Sequence, residues 1–182
     1  MRTFSFQRIG EYKESDQAKT MAARDYKDAT DLVTKMKNEG SDEMAETTVV
    51  RRLTELECER LQGFPDNWTL VGEADENGEH YWTDSTGKRK KVTSSARYKA
   101  LGNSIALPFW RYLARRIMAQ YEKKDVTMGS LFDGISGFPL VFKECGCEPR
   151  WSSEIEEFPI AVCKQHFGDE ETGQEGDIAK YL

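Results

Sequence analysis

Residues 127–140 read TMGSLFDGISGFPL, and residues 151–159 read WSSEIEEFP. The first stretch opens as a strand, breaks at Phe132-Asp133-Gly134-Ile135-Ser136-Gly137, and resumes with helical spacing. A glycine-bearing turn between a strand and a helix lets backbone approach a ligand and aims helix N–H groups at it. Glu154 follows Gly134 by 20 residues, at the end of a second strand, where an acid commonly takes the hydroxyls of a ribose. Strands are expected over 126–132 and 148–153, and helices over 137–145 and 158–167. That β-α-β-α order calls for a parallel sheet covered by helices, an α/β fold with two strands of its sheet in hand. The dinucleotide fingerprint GxGxxG is not met, because the turn reads G-x-S-G.

Upstream, Thr54-Glu55-Leu56-Glu57 has the form of a capping box. A threonine hydroxyl can accept from the backbone three residues on while the glutamate reaches back. Gly63 supplies the stop, so a short helix is expected over 54–62. Residues 72–95 are rich in Gly, Asp, Asn, Ser and Lys and read as a long loop or an irregular hairpin. From Ser104 to about Lys123, Trp110, Leu113, Ala114, Ile117, Met118 and Tyr121 recur at helical spacing, with Pro108 admissible in the first turn. Arg111, Arg115 and Arg116 lie mostly off that stripe, giving an amphipathic helix with a basic outer side. On residue type alone, Asn103 and Ser104 ahead of it read as caps. The first 50 residues have little periodicity, and 18–33 reads equally as strand-turn-strand or a short helix.

A chain of 182 residues fits one domain, and four Trp, seven Tyr and nine Phe provide mass for a packed core. No apolar run approaches the roughly 20 residues needed to cross a bilayer, and the first residues lack a signal-peptide core, so an intracellular, cytoplasmic protein is expected. Cys58, Cys145, Cys147 and Cys163 with His80 and His166 assemble no zinc pattern, and no metal site is expected. The net charge of −6 is distributed unevenly: −8 over residues 1–84, +10 over 85–124 and −8 over 125–182. A local basic field of that size attracts phosphate even on an acidic molecule. Arg89, Lys90, Lys91 and Arg97 are its candidate DNA contacts, against the alternative of a solvated charged face.

Three stretches together resemble the cytosine-5 DNA methyltransferases. RRLTELECERLQGFPDNW (51–68) and RYKALGNSIALP (97–108) are similar to that family's closing motifs, and the 127–159 pattern is similar to its opening ones. The closing motifs therefore precede the opening ones, as in a circularly permuted or split enzyme. The resemblance implies a partial Rossmann-like S-adenosylmethionine-dependent fold in three parts. Residues 1–50 would be an irregular remnant of a target-recognition region, 51–124 the closing motifs with the amphipathic helix, and 125–182 the first βαβα part of the catalytic domain. It implies S-adenosylmethionine as cofactor, with Phe132 on its adenosine side and the turn Asp133-Gly134-Ile135-Ser136-Gly137 around it. Glu154 would hold the ribose, Ile155 would lie against adenine, and Asp177 would accept from the adenine amino group, with Ile178 next to it in the cofactor site. Asn103 and Ser104 would bind the methionine portion, and double-stranded DNA would be the substrate. The chain departs from the family pattern at Ser136, usually Gly, and at Glu55, usually Pro.

Cytosine-5 methylation needs a thiolate to attack C6, an acid to protonate N3 and a methyl donor over C5. In the family the thiolate follows a proline and the acid lies in Glu-Asn-Val. Neither arrangement occurs here, so no catalytic residue is assigned in this chain. The expectation is one piece of a bacterial or phage-encoded, restriction-modification type enzyme, completed by a continuation or a partner chain. The alternative is a non-catalytic module that binds cofactor, DNA or both. An adenine or N4-cytosine methyltransferase would need a Pro-Pro-aromatic loop, and the sequence has no Pro-Pro.

Overall fold

The computed structural model describes residues 2–8, 11–15, 31–36, 47–122 and 125–171. The first part of the chain, where no period stood out, forms strands β1 (Arg2–Arg8), β2 (Glu11–Ser15), β3 (Asp31–Met36) and β4 (Thr47–Arg52). They make one antiparallel sheet in the order β2-β1-β3-β4. Most of residues 18–33 lies outside the described residues.

Helix α1 (Glu55–Gln62) starts and stops where local chemistry dictates. Glu57 N–H donates to Thr54 Oγ1 at 3.3 Å and Thr54 N–H donates to Glu57 Oε2 at 2.8 Å, closing the capping box. Glu55, the departure from Pro, is simply its first residue. At the other end Gly63 takes φ 82°, and its N–H and that of Phe64 donate to the carbonyls of Arg60 and Glu59. Arg51 grips Glu57 with two N–H groups at 2.7 and 2.8 Å, which holds that carboxyl at about 2. A depressed folded pKa stabilises above the unfolded value. The contribution of Glu57 is therefore expected to vanish as pH falls from about 4.5 to about 2, visible as a falling thermal midpoint in wild type and a flatter profile in Glu57→Gln.

The 72–95 segment is a hairpin, β5 (Tyr81–Thr83) antiparallel to β6 (Arg89–Lys91). Asp84 organises its tip by accepting from Thr86 N–H and Oγ1 and from Lys88 N–H, at 2.9, 2.6 and 2.9 Å. Gly72, at φ 76°, lets the chain pass so close to Tyr81 that an added Cβ would run into the Tyr81 carbonyl oxygen. Gly72→Ala is expected to cost about 2–4 kcal/mol, read from the urea unfolding midpoint.

Helix α2 (Ser94–Gly102), capped by Thr93, occupies residues that carry no strong apolar stripe. Only Ala100 and Leu101 are buried along it, so its helical period was faint. Helix α3 (Leu107–Met118) has Pro108 in its first turn, as expected, and stops short of Lys123. Then come β7 (Thr127–Leu131), α4 (Gly137–Glu144), β8 (Glu148–Ser153) and α5 (Glu157–Glu171, broken at Gly168). β7 and β8 pair in parallel, from Thr127 opposite Glu148 to Leu131 opposite Ser153.

Helices α1 to α3 and the segment from β7 to α5 share one core, which includes Cys58, Phe64, Trp68, Leu101, Leu107, Ile135, Val141 and Val162. Helix α3 rests on α4 rather than directly on β7: Trp110 meets Phe138 edge-on at 4.6 Å, and Arg111 forms a forked ion pair with Glu144 at 2.7 and 2.9 Å. Trp68 joins α1's following loop to the other side. Its indole N–H donates to Ile135 O at 2.8 Å and its ring stacks on His166 of α5 at 3.6 Å. Among the described residues no helix is long and apolar enough to cross a membrane.

Candidate cofactor site

Three pieces of chain converge on a cavity of about 410 Å³. One wall is the face of α2 made by Ala96, Lys99, Ala100 and Asn103. The rest of the lining comes from the turn after β7, with Phe132 and Gly134, and from the segment after β8, with Glu154, Glu156, Phe158 and Pro159. The volume lies within the range of small-molecule sites, roughly 300–1,000 Å³.

Glu154 organises the site. Its Oε2 accepts from Gly134 N–H at 2.7 Å, and its Oε1 accepts from the N–H groups of Ile155 and Glu156 at 2.7 and 2.9 Å. One carboxylate thus ties both strand-to-helix turns together, using three of its roughly four acceptor positions. On either side stand two apolar side chains left in solvent, Phe132 at 80% and Ile155 at 76% exposure. Phe132 lines the cavity, whereas Ile155, beside Glu154 in the chain, is not part of the lining. Across the opening Lys99 Nζ donates to both oxygens of Glu156 at 2.7 and 2.8 Å.

The other residues expected here divide cleanly. Asn103 is exposed on the cavity wall, while Ser104 is half-buried beside it and is not part of the lining. Asp133, Ile135 and Ser136 belong to the turn, but their side chains are buried on its inner side. Gly137 is needed for packing, because a Cβ there would come within 3.0 Å of Ile105. Asp177 and Ile178 lie outside the described residues. The sequence reading missed Glu156, Phe158 and Pro159 after β8, and Ala96, Lys99 and Ala100 on α2. The spacing of the latter three to Asn103 (96, 99, 100, 103) is one helical face, a signal available once α2 is recognised.

The four basic residues expected to meet DNA have different surroundings. Arg89 lies over the Tyr81 ring at 4.0 Å, Lys90 pairs with Asp84 and Glu157 at 2.9 and 2.8 Å, and Lys91 pairs with Glu79. Arg97 is turned inward. It donates to Thr69 Oγ1 at 2.8 Å and to the fully buried Glu59 at 3.0 Å, because that carboxylate requires a cation.

Cys163 is buried against the inner side of the turn, and burial, followed by the nearby Asp133, pushes its thiol far above the ordinary range. It is expected to resist iodoacetamide in the native protein at pH 8 and to react after unfolding, as read by mass spectrometry. No group of residues suited to a metal ion occurs among the described residues.

The family model for C-5 cytosine-specific DNA methylases matches residues 2–119. The chain belongs to this family. A type II methyltransferase of Lactococcus lactis subsp. cremoris, M1.ScrFI, is 27% identical over 111 residues, covering 61% of this chain and 21% of that protein. A DNA N-6-adenine-methyltransferase of Escherichia phage P1 is 29% identical over an alignment of 192 positions covering 63% of this chain and 24% of that protein. The matches thus span under a quarter of these relatives' length. Within this member of the family the matched stretch includes the α2 wall of the cavity, while the turn and Glu154 follow it. The mixed helix and strand content agrees with a partial methyltransferase-like α/β fold, and methyltransferases of the family generally use S-adenosylmethionine.

Proposed function

We propose that the cavity binds S-adenosylmethionine and that this chain supplies the cofactor-holding part of a DNA cytosine-5 methyltransferase. The observation that carries this is Glu154, bonded to Gly134 N–H and lining one cavity together with exposed Phe132 and Asn103. A ribose diol would use the remaining acceptor position of Glu154, adenine would lie against Ile155, with Phe132 on the adenosine side, and Asn103 would meet the methionine end. When bound, the cofactor supplies the methyl group. The residues of this chain bind and orient it.

The nucleophile comes from elsewhere in this reading. None of the four cysteines follows a proline, and Cys163 is buried with its proton held tightly. A Pro-Cys loop and Glu-Asn-Val on a continuation or partner chain would complete the enzyme in the cytoplasm of a bacterium or phage-infected cell. The inverted motif order is geometrically inexpensive, since eight residues connect the end of α3 to β7.

Isothermal titration tests the reading: S-adenosylmethionine should bind this protein, and adenosine should bind more weakly at the same site. Absence of both signals would remove the cofactor role. A complemented enzyme assayed on DNA should yield 5-methylcytosine; N6-methyladenine instead would align it with the phage P1 relative, a DNA N-6-adenine-methyltransferase.

A further inference from the structure

The turn that fronts the cavity is held in an unfavourable backbone conformation. Phe132, Gly134 and Ser136 have φ of 53°, 59° and 61°, and two of these three are not glycine. Left-handed backbone is disfavoured for L-residues with a Cβ, and such conformations persist only where surrounding structure over-determines them. Besides Glu154 on the Gly134 N–H and Trp68 on the Ile135 carbonyl, one side chain inside the turn holds it. Asp133, 5% exposed, accepts from Ser130 Oγ at 2.5 Å on one oxygen and from Ser136 Oγ at 2.7 Å on the other. Ser130 is the penultimate residue of β7, and Ser136 occupies the N-cap position of α4, so one carboxylate clasps both ends of the turn. Cys163 Sγ backs the cluster at 3.4 Å from both Asp133 Oδ2 and Gly134 O. The charge of Glu154 also acts on the group.

Such a clasp is a costly choice for a core. Burial disfavours the ionised carboxyl and pushes its pKa up, against the pull of both hydroxyls and the thiol. A small apolar residue would suffice if the position only filled space. The side chain also points away from the cavity, so it cannot touch what binds there.

We propose that Asp133 is a positioning residue of the nucleoside site. Its carboxylate, held by Ser130 and Ser136, fixes the Gly134 N–H against Glu154 and the Phe132 ring at the cavity mouth. This rests on the reading of the cavity as a nucleoside site.

The test compares wild type with Asp133→Ala, Asp133→Asn and Ser130→Ala. Titration with S-adenosylmethionine and with adenosine is read beside hydrogen exchange of the Gly134 amide. Asp133→Ala should weaken both ligands by about tenfold to a hundredfold, the effect of losing hydrogen bonds to a charged group. Its Gly134 amide should exchange faster while amides of α3 keep their protection, which general destabilisation would not produce. Asp133→Asn, able to accept at one arm and donate at the other, should recover most of the affinity. Should Asp133→Ala fail to fold, Ser130→Ala removes one arm and keeps the carboxylate, with an expected loss of about threefold to tenfold. Unchanged affinity in the folded variants, with wild type binding, overturns the role of Asp133 alone. No binding by wild type overturns the cavity reading together with it.

Discussion

Glu154→Ala is expected to lower the affinity for S-adenosylmethionine by more than about a hundredfold, because two effects combine at one carboxylate. The substitution removes the acceptor proposed for the ribose diol. It also frees the N–H groups of Gly134, Ile155 and Glu156, all of which now donate to Glu154. Hydrogen bonds with an ionised partner are stronger than neutral ones, so the two turns lose their common anchor along with the ligand contact. Glu154→Gln separates the contributions. Its amide keeps one acceptor oxygen but presents an NH₂ where an N–H must be received, and affinity should fall between the other two proteins. Titration calorimetry that found alanine and wild type equal would remove Glu154 from the site.

The second large effect is on stability and lies at Glu59. This carboxylate has no exposure to water and is satisfied by Arg97 at 3.0 Å, by Thr69 N–H and Oγ1 at 2.8 and 2.5 Å, and by Asn67 N–H at 2.7 Å. Removing one member of a buried ion pair strands the other, and the usual cost is about 3–5 kcal/mol. Glu59→Ala and Arg97→Ala should each lose that much in urea denaturation, and the double variant should lose less than the sum. The same experiment decides the role of Arg97. A phosphate contact would alter the salt dependence of DNA binding and leave the unfolding midpoint in place; the observed geometry predicts the reverse.

Arg97 also marks where sequence reading stops. Its position in a basic block suggested a surface role, and only the three-dimensional approach of α1 and α2 discloses that Glu59 needs it. Elements governed by local chemistry were legible in advance. Thr54, Glu57 and Gly63 bound α1 within a residue, and the strand-turn-helix at 127–144 and the strand at 148–153 lie where periodicity put them. Helix α2 was not legible, since its tertiary contacts rather than an apolar stripe hold it, and three cavity-lining residues were missed with it. The turn itself was visible, but not the direction of its side chains. Nothing in the string Phe-Asp-Gly-Ile-Ser-Gly states that Asp133 and Ser136 face inward while Phe132 faces out. The antiparallel sheet built from the first 52 residues had no strong alternation to announce it.

The ion pairs that join the two parts of the molecule have a kinetic consequence. Lys90 with Glu157, Lys99 with Glu156 and Arg111 with Glu144 all link the basic middle of the chain to its acidic last third. Split between Lys124 and Asp125, the polypeptide would give fragments of net charge +2 and −8. Oppositely charged surfaces accelerate encounter in dilute salt, and screening removes that advantage above physiological ionic strength. Two such halves made as separate polypeptides would carry their own guidance for reassembly, so a break in the connection need not separate the walls of the cavity.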